Sequence, residues 1–184
     1  MRLTLQCHPD TPTAVVSSVA AKLEISTAGK MVLDYKVCGE LENVKFLEQS
    51  TPKRMDCLWQ HSCFEAFISR ENSDSYFEFN FSPSTEWAAY KFGSYRKGMA
   101  ELDMPSDPVI SMTSDRERFS LNVQLNLTEI RVVEPGDKIM VGLSTIIEEQ
   151  NGYKSLWALQ HPSGNPDFHN RECFAQELKV ADWL

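Results

Sequence analysis

The chain has 184 residues, with 18 Lys and Arg against 26 Asp and Glu and a formal net charge of −8. That balance argues against a phosphate-tracking nucleic-acid binder or a polybasic membrane-surface protein, while 42% hydrophobic and 24% charged residues describe a folded chain rather than a disordered one. No apolar run approaches the roughly 18–20 residues of a membrane-spanning helix, and Met1–Pro9 lacks the apolar core of a signal peptide, so the expected location is cytoplasmic.

In chain order, a strand around Ala21–Ser26 is expected to turn through Thr27-Ala28-Gly29-Lys30. It returns as an alternating strand, with Met31, Leu33, Tyr35 and Val37 on one parity and Asp34 and Lys36 on the other. Leu58–Ser69 follows, then the polar loop Arg70–Ser75, a strand at Tyr76–Phe81, a break at Ser82-Pro83-Ser84 and a strand at Glu86–Phe92. Phe119, Leu121, Val123 and Leu125 alternate strictly with Ser120, Asn122 and Gln124. Leu127–Val133 is read as one helical turn, and Pro135-Gly136-Asp137 turns the chain into Lys138–Ile147. Asn151-Gly152 reads as a two-residue hairpin with both central residues at positive φ, followed by Tyr153–Leu159 and Glu172–Val180. About nine or ten short strands with hardly a helix predict an all-β fold, an antiparallel, jelly-roll-like β-sandwich in one domain over residues 1–184. The five cysteines, at positions 7, 38, 57, 63 and 173, are odd in number and scattered, and are read as reduced thiols.

The chemistry concentrates in two places. In Leu58–Ile68, Phe64, Ala66 and Ile68 share the core parity, which leaves Trp59, His61, Cys63, Glu65 and Phe67 on the opposite face. Phe77, Phe79 and Phe81 likewise pack inward while Tyr76, Glu78 and Asn80 project the other way. With these strands paired, an aromatic ring lies beside two carboxylates, an amide and an imidazole. Such a surface suits a sugar, whose C–H face lies on the ring and whose hydroxyls meet the polar tips. The same pattern also describes the solvated side of an ordinary sheet, and Glu65 with Glu78 could form a glycosidase acid/base pair. No second signature supports that reaction, so no catalytic residue is assigned.

The second place is Leu156–Arg171, where two prolines and a glycine stiffen a loop carrying His161, Asp167, His169 and Arg171. These side chains could equally satisfy backbone groups within a tight turn. No metal ligand set is expected: Cys57, His61 and Cys63 lack zinc spacing, and His161 and His169 lack helical i,i+4 geometry. Cys63 reads as an inert buried thiol. Tyr90, Lys91, Tyr95, Arg96 and Lys97 form one locally basic aromatic cluster, read as a sheet edge or loop surface.

The run Leu58-Trp59-Gln60-His61-Ser62-Cys63-Phe64-Glu65-Ala66-Phe67, then Tyr76-Phe77-Glu78-Phe79-Asn80-Phe81-Ser82-Pro83 and Trp87-Ala88-Ala89-Tyr90, resembles bacterial DOMON-like domains. Trp157-Ala158-Leu159-Gln160-His161-Pro162 and Pro166-Asp167-Phe168-His169 fit the same pattern, so the similarity runs from about Leu58 to Phe174. The superfamily also contains the family-nine carbohydrate-binding modules. The resemblance implies a β-sandwich with a concave face that binds sugars or haem. In the sugar-binding relatives two tryptophans clamp a terminal sugar, and a carboxylate on the strand after the first tryptophan bonds its hydroxyls. Trp59 and Glu65 resemble that early pair, and Trp157 resembles the late clamp. The arginine those modules carry on the following strand has no counterpart, since Glu78 and Asn80 stand there. Haem-binding relatives use a methionine and a histidine, for which His161 or His169 and one of Met99, Met104, Met112 and Met140 are the candidates.

The expected function is a non-catalytic module for a saccharide or glycosylated small molecule, without a resident metal or cofactor and without a nucleic-acid or membrane partner. Its expected ligand-binding residues are Trp59, His61, Glu65, Glu78, Asn80, Trp157, His161, Asp167, His169 and Arg171. A haem-binding redox domain, a protein-interaction domain whose partner is encoded elsewhere and a glycoside hydrolase are the alternatives.

Overall fold

The computed structural model describes residues 2–26 and 28–180, so Thr27 of the expected turn lies outside the described residues. Among these residues run twelve strands, three single 3-10 turns and no α-helix. The strands are β1 (Arg2–Cys7), β2 (Val16–Ile25), β3 (Lys30–Gly39), β4 (Cys63–Arg70), β5 (Tyr76–Phe81), β6 (Trp87–Phe92), β7 (Ala100–Glu101), β8 (Val109–Ser114), β9 (Arg118–Asn126), β10 (Lys138–Glu148), β11 (Lys154–Ala158) and β12 (Gln176–Lys179). The strands named here pair antiparallel throughout and form two sheets that divide at β1. Residues Arg2–Leu5 pair with β2 and open the sheet β1-β2-β3-β9-β8. Gln6 and Cys7 pair instead with β11, at the end of β7-β6-β5-β4-β10-β11. β12 lies along Lys138–Val141 of β10, a stretch that β11 does not reach. This is the all-β antiparallel sandwich that the alternation predicts.

The core forms because apolar positions face one another across the ladder. Leu33 stands opposite Val123, Tyr35 opposite Leu121 and Val37 opposite Phe119. Phe64, Ala66 and Ile68 of β4 and Phe79 and Phe81 of β5 meet them from the other sheet, with Phe64 stacked on Phe119 at 5.6 Å. Tyr35 is fully buried, and its phenol donates to the backbone carbonyl of Glu65 at 2.6 Å. A buried tyrosine hydroxyl needs such a partner, and this one fastens the sheets together.

The outward faces of the two sheets differ. β9 alternates between buried core residues and exposed or half-exposed polar ones, whereas β4 is buried from Cys63 through Ser69 on both faces. The outer side of β4 is roofed by a second apolar cluster of Phe67, Tyr76, Phe92, Cys173 and Phe174 and by the loops described below.

Several local expectations change. Leu58–Gln60 is a 3-10 turn, so the strand starts at Cys63. Leu127–Val133 holds nested turns rather than a helical turn, with Arg131 N bonded to Thr128 O and Val132 N to Leu127 O. Glu172–Val180 splits into the 3-10 turn Arg171–Cys173 and β12. At Asn151-Gly152 only the glycine takes positive φ, at 86°. Gly152 N bonds to Glu149 O and Glu149 N to Tyr153 O, which makes a three-residue hairpin loop with glycine in the left-handed position. β1, β7 and β8 were not anticipated. The first pairs across both sheets, and the other two are short or half-exposed edge strands.

Gly142 of β10 lies beneath the Arg171–Cys173 turn, where an added Cβ would stand 2.9 Å from Phe174 Cδ1 and 3.1 Å from Cys173 O. Overpacking of this kind costs about 1–3 kcal/mol. Gly142→Ala is therefore expected to lower the unfolding temperature by roughly 2–10 °C in a thermal melt.

Candidate functional site

The roofed side of β4 encloses a cavity of 810 Å³. Its floor is Glu65 on β4, Glu78 on β5, Tyr90 and Phe92 on β6, Ile146 on β10 and Leu156 on β11. Three loops supply the walls: Asp56 to Trp59, Arg96 to Glu101 and Pro166 to His169.

Trp59 projects from the 3-10 turn Leu58–Gln60, which is entered through Cys57 in the left-handed region at φ 61°. The turn is anchored by buried Leu58 against Cys63 and Ala88. Anchoring the neighbour leaves the indole itself 52% exposed, and Trp59 is the one exposed tryptophan among the described residues. Asp56 beside it accepts from the Tyr90 hydroxyl at 2.5 Å and from Arg54 at 3.0 Å.

The opposite wall is a clasp between distant loops. Arg96 sits at φ 53° in the tight turn Ser94–Lys97 and donates through Nη2 to Asp167 Oδ1 at 2.6 Å. The Tyr95 hydroxyl donates to the other oxygen of the same carboxylate. Burial alone would raise Asp167, but bonds from Tyr95 and Arg96 hold it below the usual carboxylate range.

On the floor, Glu65 is 4% exposed, and its Oε2 accepts from Ser144 Oγ at 3.2 Å. Burial, reinforced by neighbouring Glu78, pushes its carboxyl up to about 8. Glu78 is also raised by burial, although the Asn80 amide donates to its Oε1 at 2.7 Å. The Tyr76 hydroxyl accepts from Arg96 N at 3.2 Å and bonds to His169 Nδ1 at 2.8 Å. The other ring nitrogen, Nε2, lies 3.7 Å from Glu78 Oε2. Burial first, and Arg96 second, hold His169 down to about 4. Near pH 7 the cavity therefore presents a protonated Glu65, a neutral imidazole and an exposed indole.

Of the expected residues, the structure brings Trp59, Glu65, Glu78, Asp167 and His169 around this one cavity. Asn80 is buried against Glu78, behind the lining. Trp157 requires a correction. It packs in the core between the sheets, with its indole N–H bonded to Ser155 Oγ at 3.0 Å, and cannot act as a clamp on this face. Leu156 takes the cavity side of β11 in its place. His61, His161 and Arg171 also lie outside the lining. His61 pairs with Glu148 at 2.7 Å, and His161 bonds to Gln6 O at 2.8 Å. Arg171 donates to Ser73 O at 2.7 Å and stacks over Tyr76 and Phe174.

Tyr90 and Arg96, read from the sequence as an edge or loop surface, belong to the cavity. Arg96 supplies a guanidinium that no residue of β5 provides. Asp56, Glu101 and Phe168 were missed as well, because nothing in their local pattern marks them, and Met99, read as a haem candidate, also lines the cavity.

Most haem candidates are committed elsewhere. His169 bonds to Tyr76 through Nδ1, and its Nε2 lies 3.7 Å from Glu78, too far for a hydrogen bond. His161 holds Gln6 O through Nε2, and its Nδ1 is buried. Met104, Met112 and Met140 pack against the apolar clusters, which leaves only Met99 on the rim.

No protein-family model matches the chain, and no curated protein matches its sequence. Solved structures do match. A candidate carbohydrate-binding protein from Bacteroides uniformis superposes with a TM-score of 0.66 at 16% identity, over 97% of this chain and 85% of that one. A family 9 carbohydrate-binding module from Caldicellulosiruptor kristjanssonii, in complex with glucose, gives 0.55 at 11% identity, over 94% of this chain and 80% of that one. A family 9 module from the same organism, in complex with cellotriose, gives 0.54 at 12% identity, over 98% and 83%. The likeness is one of fold.

The raised Glu65 carboxyl has a consequence for stability. A group whose folded pKa lies above its unfolded value stabilises the fold fully below the unfolded value, and that contribution is lost as pH rises to the folded one. The window here runs from about 4.5 to about 8. Glu65→Gln, which never ionises, is expected to melt roughly 5–10 °C above the parent protein at pH 9, on the order of 3 kcal/mol, with the gap closing at pH 4.

Proposed function

We propose that this chain is a non-catalytic saccharide-binding module. A sugar ring lies against Trp59, and its hydroxyls are met by Glu65, Glu78 and the Asp167–His169 loop. The observation that carries this reading is the convergence of one exposed indole and two buried acids, drawn from distant stretches of chain, on a single 810 Å³ cavity. That volume falls within the ~300–1,000 Å³ typical of small-ligand sites. Modules of the same fold hold glucose and cellotriose, and the DOMON-like resemblance of the sequence agrees with such a role.

The test is a titration with glucose, cello-oligosaccharides and a wider sugar panel, followed by tryptophan fluorescence. Trp87 and Trp157 are buried, and Trp183 lies outside the described residues, so the Trp59→Ala variant identifies the indole that reports. A Kd between about 10 μM and several mM is expected, because a single stacked ring buries little area. Trp59→Ala should weaken binding about 3–10-fold and remove the response. The absence of saturation across the panel, or unchanged binding by Trp59→Ala, would falsify the proposal.

A further inference from the structure

Each acid on the cavity walls has a cation of the chain's own. Asp167 takes the Arg96 guanidinium at 2.6 Å, while Asp56 and Glu101 share Arg54 at 3.0 and 3.5 Å. Among the described residues, the two acids of the floor form no ion pair with a lysine or arginine, although the Arg96 guanidinium, held by Asp167, acts on both through space. Glu65 is held by the Ser144 hydroxyl and the Cys63 thiol, and Glu78 by the Asn80 amide. His169, 3.7 Å from Glu78, is uncharged near pH 7. Behind them Asn80 Oδ1 is buried with no hydrogen-bond partner. The floor therefore holds two buried acids and an unpartnered amide oxygen with no cation bonded to them.

We infer that the ligand of this cavity carries an ammonium group, as an amino sugar does, and seats it between Glu65 and Glu78. This deepens the saccharide reading and rests on it. An ammonium offers three donors and a compact charge, which matches two acids that no lysine or arginine side chain bonds, the nearby Arg96 being taken by Asp167. A neutral sugar hydroxyl supplies no charge and leaves the pair as it was. Charge-assisted bonds are roughly twice as strong as neutral ones, so the difference between the two ligands should be large.

A proton movement follows. Glu65 is protonated in the free protein near pH 7. When the ammonium docks, the Glu65 O–H bond breaks, its electron pair stays on the carboxylate, and the proton passes to the buffer. The ligand keeps its own proton. Other titratable groups facing this point are Glu78 on β5, Cys63 beside Glu65 on β4, Tyr90 on β6, Arg96 on the β6–β7 loop and Asp167 and His169 on the late loop. Of these, Arg96 and Asp167 hold each other.

The experiment is isothermal titration of the whole chain at pH 6.5 in two buffers of different ionisation heat, using glucosamine, N-acetylglucosamine and glucose. Glucosamine should bind about tenfold tighter than glucose and release about one proton per ligand. N-acetylglucosamine, whose nitrogen is capped and neutral, should release none and show no such advantage. In Glu65→Gln and Glu78→Gln, checked for folding by thermal unfolding, the glucosamine-to-glucose affinity ratio should fall towards one. Glucose binding with glucosamine no tighter and no proton released overturns the ammonium seat while leaving the saccharide reading intact. The failure of all three sugars to bind, along with the wider panel, removes both.

Discussion

Glu65 joins the core to the cavity. Its backbone carbonyl accepts the phenol of Tyr35 from the opposite sheet at 2.6 Å, while its side chain projects the other way into the cavity. The flanking residues Phe64 and Ala66 lock the strand into the sandwich. A strand held on both faces has no freedom to swing its acid towards water, so the carboxyl remains desolvated and its charged form is disfavoured. Glu78, diagonal to it on β5, is subject to the same constraint from Phe77 and Phe79. The chemistry of the site is thus set by how firmly the core grips these two strands.

The walls are held differently. The Ser94–Lys97 turn and the Pro166–His169 loop are far apart in sequence and meet through Asp167, which gathers bonds from Tyr95, Arg96 and the backbone of His169. Across the cavity, Asp56 is held by Tyr90 and Arg54. Both clasps leave Trp59 uncovered. Loops pinned to a stiff sheet in this way can present a wet, shaped surface without loosening the scaffold. A sandwich shared at 11–16% identity with sugar-binding modules is consistent with that division, since alternation can be preserved while loop side chains change.

Some errors of sequence reading are instructive. Leu156, Trp157, Ala158 and Leu159 are all apolar, so alternation cannot say which of them faces the core. Only the pairing of β11 with β10 and β1 turns Trp157 inward and Leu156 outward. Arg96 lies in a turn with no periodicity, and its role depends on a carboxylate some seventy positions away. His61 looked like a neighbour of Glu65 by parity. It stands outside the strand, however, where the backbone turns and its imidazole reaches Glu148.

The sequence alone determined most of the strands, the antiparallel sandwich and the face to which Glu65, Glu78 and Asn80 belong. A strand repeats every two residues, and that period is written locally in the pattern of apolar and polar side chains. Tertiary structure alone decided that this face would be roofed rather than solvated, that Arg96 and Tyr90 would join it, and that Trp157 would not. Those outcomes depend on which loops converge over a sheet and which ion pairs close between them, and contacts between distant segments leave no periodic trace in either segment.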